Sequence, residues 1–454
     1  MAVKTSGHEH WSSRFAFLMA AIGSSVGLGN LWRFSSEAGA HGGGAFILVY
    51  LACVLLIGAP VLICEYAIGR SSERASAVQS VTDVARRSGV SPNWSLLAWL
   101  GMAAGFMIVC FYSVVAGWVL AYIPKFLLGA FNNQPPEAIA AQFGELNASV
   151  GQELIYFTIF IAITAWFVSR GVNEGIEWAA KILMPLFFLL LVLLCAYSLA
   201  TGAAGEALAW MYRPDFSELN AEVAVSALGQ AFFSIGIGSA IMITYGSYIT
   251  RETNMPESAA IVALSDTTVA VVAGMAIFPI VFAHGLEPNG GAGLFFQTLP
   301  VALTGAPGGN LIGAGFFILA FFAALTSAIS LLEVTTAWAV DKTGWSRPRV
   351  VIAICAAIWV LGAGCAASDT LFGWLDAGSG KILMPLSGLL GALFVGWRMD
   401  RVLRETELAG APAAVRHTLL FLIRFLAPLG VSAILILGAL QQWAPSLYGA
   451  IFPS

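Results

Sequence analysis

Eleven apolar runs, each long enough to cross a lipid bilayer, decide what this chain can become. They lie at about 14–38, 43–70, 94–128, 153–169, 174–200, 222–249, 257–285, 309–340, 348–366, 372–398 and 414–440. A spanning helix needs roughly 18–20 mainly apolar residues, and a soluble domain does not string so many runs together. With 59% hydrophobic and 10% charged residues, the sequence predicts an all-α polytopic membrane protein of 11 transmembrane helices, its surface matched to the bilayer. The hydrophilic start, Met1 to Arg14, leads directly into the first run, so no cleavable signal peptide is expected. A net charge of −4 argues against nucleic-acid binding. Cys53, Cys64, Cys110, Cys195, Cys355 and Cys365 sit in apolar runs without metal-ligand spacing and read as packing residues.

Lysine and arginine set the orientation. Arg70, Arg74, Arg86, Arg87, Arg170, Arg251, Lys342, Arg347, Arg349, Arg398, Arg401, Arg404 and Arg416 all fall on the same side as Lys4 and Arg14. The opposite loops hold little beyond Lys125 and Arg213. The positive-inside rule then places the N-terminus in the cytoplasm, and an odd number of spans places the C-terminus outside. The outer loops 129–152 and 286–308 are rich in Gly, Pro and Asn and read as extracellular caps. Gly42–Gly44 lacks the Lys-Ser/Thr of a phosphate-binding loop and reads as a tight turn, so ATP-driven transport has no support. Only His8 and His10 lie close together, which leaves no zinc-hydrolase pattern.

Two of the runs are broken. Residues 23–30 read Gly-Ser-Ser-Val-Gly-Leu-Gly-Asn within the first, and 234–240 read Ser-Ile-Gly-Ile-Gly-Ser-Ala within the sixth. A helix that unwinds at mid-membrane frees backbone N–H and C=O groups, which lipid cannot satisfy. Such a break is tolerable where the freed groups line a cavity and meet a ligand. Freed N–H groups at the start of a half-helix attract a carboxylate, and freed carbonyls with hydroxyls suit a small hard cation such as sodium. A matched pair of breaks points to the binding site of a secondary transporter.

The surrounding motifs resemble those of the neurotransmitter:sodium symporter family, in its bacterial amino-acid transporter branch. Val26-Gly-Leu-Gly-Asn-Leu-Trp-Arg-Phe34 with Gly42-Gly-Gly-Ala-Phe46 is similar to the first-helix signature. Gly229-Gln-Ala-Phe-Phe-Ser234 with Thr244-Tyr-Gly-Ser-Tyr248 is similar to the sixth, and Ala323-Ala-Leu-Thr-Ser327 to the eighth. The matches run in order over nearly the whole chain. The resemblance implies the leucine-transporter fold: two inverted five-helix repeats, helices 1–5 and 6–10, with discontinuous helices 1 and 6 and a peripheral helix 11. It divides the chain into a cytoplasmic tail (1–13), a first repeat (14–200), an extracellular loop (201–221) and a second repeat (222–398). A cytoplasmic loop (399–413), helix 11 (414–440) and an extracellular C-terminus (441–454) follow.

The resemblance also implies two sodium ions. Ser25, Asn30, Ser234 and Asp266 match the first sodium site, which touches the substrate carboxylate. Gly23, Val26, Ala323, Thr326 and Ser327 match the second. Oxygen donors drawn mainly from carbonyls and hydroxyls fit a monovalent cation, since a divalent ion usually recruits more carboxylates. The family usually has Asn where this chain has Asp266, and its animal members hold chloride nearby, at positions matching Tyr50, Gln230 and Ser234. Asp266 is therefore expected to supply the chloride-substituting charge. Once the cations leave, that buried carboxylate loses its compensation and is expected to accept a proton. Chloride independence and proton counter-transport follow as expectations.

Substrate-binding positions carried over from the family are Ser25, Leu28, Gly29, Ile108, Tyr112, Phe233, Ser234, Gly236, Ser239, Ser327 and Leu331. Amine-transporting relatives carry Asp at the position of Gly27. Glycine there favours an amino acid, whose carboxylate meets the Leu28 and Gly29 N–H groups and the Tyr112 hydroxyl. Leucine-selective members have Phe where this chain has Ser239 and Ser where it has Gly236. A roomy pocket for a large hydrophobic or aromatic side chain is expected, with a small polar substrate and an ordered water at Ser239 as the alternative. The outer gate matches Arg33 and Asp376, with Tyr112 and Phe233 as the lid. The inner gate matches His8, Trp11, Tyr248 and Asp341, with His8 where the family has Arg; His8 pairs only when protonated, or Lys4 or Arg14 takes its place. Glu65 is expected to bond the backbone of a broken helix, and Glu333 to be a structural partner. The leading expectation is a sodium:amino-acid symporter working by alternating access, not an enzyme. A proton-coupled carrier, a substrate sensor and a channel on the same scaffold are the alternatives.

Overall fold

A computed structural model describes residues 10–72, 74–286, 293–444, 446, 448 and 449. Among them, nine helices are long and apolar enough to span a bilayer. Two broken helices complete the set of eleven, numbered in chain order. Span 1 is Arg14–Ser25 with Gly29–Ala40, bent by 52° at the break. Spans 2 to 5 are Gly44–Ser72, Pro92–Leu127, Val150–Ser169 and Val172–Thr201. Span 6 is Ala221–Ile235 with Ile241–Ser247. Spans 7 to 11 are Met255–Ala283, Gly309–Thr343, Arg347–Ala367, Asp369–Arg398 and Ala413–Leu440. All eleven expected spans are present, with ends displaced by a few residues.

The loops are more ordered than their composition suggests. The stretch 129–152 contains the helix Pro136–Ala148, and 286–308 contains Leu294–Gly305. Short helices also occupy Ala204–Tyr212, Ala77–Arg87 and Arg401–Leu408. Gly42 and Gly43 take positive φ values of 75° and 56° and turn the chain tightly between spans 1 and 2, as expected. The six cysteines are free.

Burial separates the centre from the rim. Of the nine unbroken spans, 3 and 8 are the most enclosed, each with 78% of its most apolar window inside the protein. Spans 4, 5, 9 and 11 bury about a third or less, so their apolar side chains face the bilayer. Both broken helices pack against span 8, and their breaks meet span 3 at Tyr112 and Gly101. Two close approaches seat the second break between spans 3 and 10. A Cβ on Gly238 would lie 2.0 Å from the Met384 carbonyl oxygen, and one on Gly101 would lie 2.8 Å from the Gly238 carbonyl. Gly238 also holds φ +82°, so no other residue fits at the centre of the second break.

Candidate functional site

The first break satisfies its own backbone partly from neighbouring spans. Gly27 N donates to Asn30 Oδ1 at 2.9 Å, and Leu28 N donates to the Tyr112 hydroxyl at 3.3 Å. The Gly29 carbonyl accepts from Gln230 Nε2 at 2.9 Å. On the other side, Ser327 Oγ lies 3.2 Å from the Ser24 carbonyl and 3.3 Å from that of Val26. Ser25 Oγ reaches the Ile235 carbonyl at 3.3 Å and so ties the two breaks together. At the second break, Glu65 Oε1 accepts from Gly238 N at 2.6 Å, in line with the expectation for Glu65.

One buried cluster unites three of the four residues matched to the first sodium, Asn30, Ser234 and Asp266. Asn30 Nδ2 donates to Asp266 Oδ1 at 2.8 Å and lies 2.9 Å from Ser234 Oγ. Ser234 Oγ donates to Asp266 Oδ2 at 2.7 Å, and the Tyr50 hydroxyl stands 3.5 Å from the same oxygen. Asn30, Gln230 and Asp266 are each fully buried. The second set converges about 300 residues apart in sequence. Thr326 Oγ1 is 3.2 Å from the Ala323 carbonyl, and a Cβ on Gly23 would come within 3.3 Å of Thr326 Cβ.

A cavity of about 50 Å³ lies between the two breaks. Of the expected pocket residues, Ser25, Gly29, Ile108, Tyr112, Phe233, Ser234, Gly236, Ser239, Ser327 and Leu331 line it. Leu28 lines a second, larger cavity instead. Ser24, Gly27, Ile241 and Met384 complete the lining; Ser24 and Gly27 belong to the first break, whereas Ile241 and Met384 went unnoticed in the sequence. Ile241 follows the Gly-rich break and is legible as its edge, whereas Met384 carries no signal. The cavity is not roomy in this conformation, although Gly236 and Ser239 are small. Ser239 Oγ is turned onto the Gly236 carbonyl at 2.6 Å, which occupies its proton.

Gly29, Tyr112 and Phe233 also border the second cavity, a vestibule of about 320 Å³. The Arg33 guanidinium stands 4.5 Å from the centre of the Phe233 ring. Arg33 and Asp376 both line the vestibule, but the ion pair of Arg33 is with Glu37, at 3.9 Å. Glu37 lies one helical turn along and also accepts from Ser226 Oγ at 2.5 Å, so the nearer acid takes the cation.

The far side of the site is packed. Trp11 N donates to the Tyr248 carbonyl at 3.1 Å, and Trp11 Nε1 to the Tyr245 carbonyl at 3.2 Å. Its ring meets that of Tyr245 edge-on at 5.1 Å. Tyr248 and Asp341, both assigned to the inner gate, each have a partner on the packed side. Tyr248 donates to Glu333 Oε1 at 3.0 Å, Glu333 also pairs with Arg347, and Asp341 accepts from Gln79. Span 6 ends nearer Glu333 than Asp341, which sits two turns further along span 8. Arg14 pairs with Glu257 at 2.8 Å rather than with Asp341. His8 and Lys4 lie outside the described residues. Glu177 was missed altogether, although an acid four residues before Lys181 at the start of an apolar run is a readable sign. It accepts from Ser12 N at 3.0 Å, Ser12 Oγ, Asn173 Nδ2 at 3.2 Å and Lys181 Nζ at 2.5 Å.

Eleven spans, two of them broken around a shared cavity with a vestibule on one side and a plug on the other, define a secondary transporter of the leucine-transporter fold. The sequence model of the sodium:neurotransmitter symporter family matches residues 8–134 and 140–454. The chain belongs to that family, and it is a sodium-dependent transporter. It is 35% identical to an uncharacterized sodium-dependent transporter, YhdH, of Bacillus subtilis, over 93% of this chain and 95% of the relative. It is 32% identical to one of Haemophilus influenzae, over 87% and 91%. Among solved structures it is similar to MhsT in complex with L-phenylalanine, with a TM-score of 0.87 and 38% identity, covering 95% of this chain and 100% of the other.

Proposed function

We propose that the protein carries an amino acid with a large hydrophobic or aromatic side chain into the cell together with sodium, by alternating access. The observation that carries this reading is the lining of the central cavity. It combines the backbone of both breaks, serine hydroxyls and Tyr112 with Ile108, Ile241, Leu331 and Met384, and it contains no charged side chain. A substrate with two backbone charges and an apolar side chain fits such a lining. A side chain on Gly27 would meet Ser327 Oγ at 2.8 Å and the Tyr112 hydroxyl at 3.2 Å, so an amine-binding Asp has no room there. The occupied proton of Ser239 speaks against a small polar substrate. The solved relative in complex with L-phenylalanine points the same way.

Two sodium ions belong to this reading. Ser25, Asn30, Ser234 and Asp266 would hold one, and Gly23, Val26, Ala323, Thr326 and Ser327 the other. Both sets gather oxygen donors, as a hard monovalent cation requires. Asp266 supplies the negative charge that chloride supplies elsewhere, and it takes a proton back when the cations have left. The Lys/Arg-rich loops put the N-terminus in the cytoplasm and the C-terminus outside.

Purified protein in proteoliposomes tests the reading. An inward sodium gradient should concentrate labelled phenylalanine or leucine in the lumen without chloride, and the lumen should turn alkaline as protons leave. Binding without accumulation would make the protein a sensor, and equilibration without concentration a channel. Asp266→Asn should abolish uptake or make it chloride-dependent. Unchanged chloride-independent uptake by that variant would show that Asp266 does not stand in for chloride.

A further inference from the structure

Span 10 builds a wall of the central cavity. It runs as an α-helix over Asp369–Ala377, as a wider π-helical stretch over Gly378–Leu383, and as an α-helix again from Met384. Such stretches occur often at functional sites, because one extra residue per turn re-aims the backbone. Here span 10 meets the site three times, once within the stretch and twice at Met384 just after it. A Cβ on Gly380 would lie 3.8 Å from the ring of Phe233, the residue between cavity and vestibule. The Met384 carbonyl packs against Gly238 in the second break. Met384 itself lines the cavity and is 2% exposed.

The backbone of span 10 is fixed just beyond this point. Ser387 Oγ donates to the Leu97 carbonyl at 2.8 Å, and Gly388 fits so closely that a Cβ would lie 2.9 Å from the Phe232 ring. Any change in cavity size on this side therefore falls to the Met384 side chain. The two isoleucines of the lining are stiffer. Ile108 and Ile241 are β-branched and restricted at χ1. Methionine has three rotatable bonds and a polarizable sulfur, and it fills spaces of varying shape. A cavity of about 50 Å³ needs such a yielding element before a large side chain can enter.

We propose that Met384 is a specificity-determining residue, an adjustable stop that sets how large an amino-acid side chain the central cavity accepts. The inference rests on reading the cavity as an amino-acid site. Its readout is the ratio of sodium-dependent tryptophan binding to alanine binding, measured on purified full-length protein. Met384→Ala should raise that ratio about ten-fold by lengthening the cavity, and Met384→Ile should lower it about ten-fold by stiffening the stop. Met384→Leu conserves volume with less freedom and should fall between wild type and Met384→Ile. It carries the test if a more drastic variant does not fold. A ratio that stays within about two-fold of wild type in every folded variant overturns the role of Met384 alone. Failure of the wild type to bind any amino acid overturns the reading of the cavity, and this inference with it.

Discussion

The two sides of the central cavity are closed by different means. On the vestibule side, a space of about 320 Å³ is separated from the cavity by the side chains of Tyr112 and Phe233, with Arg33 above the Phe233 ring. The ion pair there, Arg33 with Glu37, measures 3.9 Å between partners about 30% exposed. On the side of Trp11, the closure uses backbone and buried charge. Carbonyls of Tyr245 and Tyr248 hold Trp11, Glu333 is buried against Arg347, and Arg70 meets Glu407 at 2.5 Å with both side chains buried. A pocket between Ala20, Tyr245, Thr326 and Ser330 measures only about 10 Å³, room for about one water. The first side is closed by side chains, whose rotamer changes are fast. Opening the second means undoing buried ion pairs, so the free energy that decides between conformations resides there.

Arg347→Gln tests this difference most severely. It removes the Arg347 guanidinium from the fully buried Glu333 carboxylate, and breaking a buried pair in this way costs about 3–5 kcal/mol. The loss falls on the closed form, so the population should move toward opening at Trp11. Hydrogen exchange of the backbone amides in Phe17–Ile22 should accelerate by orders of magnitude, while amides of span 8 around Thr326 stay protected. Equal acceleration in both would mean general unfolding and not a released plug.

A smaller effect is expected of Glu177→Gln. The carboxylate gathers four donors from residue 12 and span 5, and Lys181 makes part of that network charge-assisted. Replacing a charged acceptor by a neutral one weakens such bonds by about 1.5–3 kcal/mol in total. Residues 10–12 should exchange faster while Trp11 remains buried between the two tyrosines. Apparent substrate affinity should fall modestly, because less of the protein starts from the closed form.

The same contrast explains what could be read from the sequence. The spans were legible because bilayer thickness dictates their length, and the helix breaks because Gly and Ser cluster at them. Helix Pro136–Ala148 was not, since its short amphipathic turns lie in a stretch whose Gly, Pro and Asn read as loop. Within the site, Asn30, Ser234 and Asp266 could be grouped through the family resemblance, and they do meet. Partner choice among charges was less legible. The sequence offers Arg33 both Asp376 and Glu37, and only packing decides for Glu37 in this conformation. Met384 was invisible because a methionine in an apolar run looks like any other, and the π-helical stretch before it has no residue signature.

Glu37→Gln gives the opposite pole of the comparison. The pair it removes is long, partly solvated and adjacent to a water-accessible vestibule, so it contributes about 0–1 kcal/mol. His41 and Ser226 still have backbone and amide groups to bond in the variant. Exchange of the amides in Gly29–Ala40 should change little, and sodium-dependent substrate affinity should stay within a few-fold of wild type. Arg33 keeps its place over Phe233, a contact of about 0.5–1 kcal/mol that owes nothing to Glu37. An effect of Glu37→Gln as large as that of Arg347→Gln would contradict the asymmetry, because the vestibule would then be held by charge as firmly as the packed side.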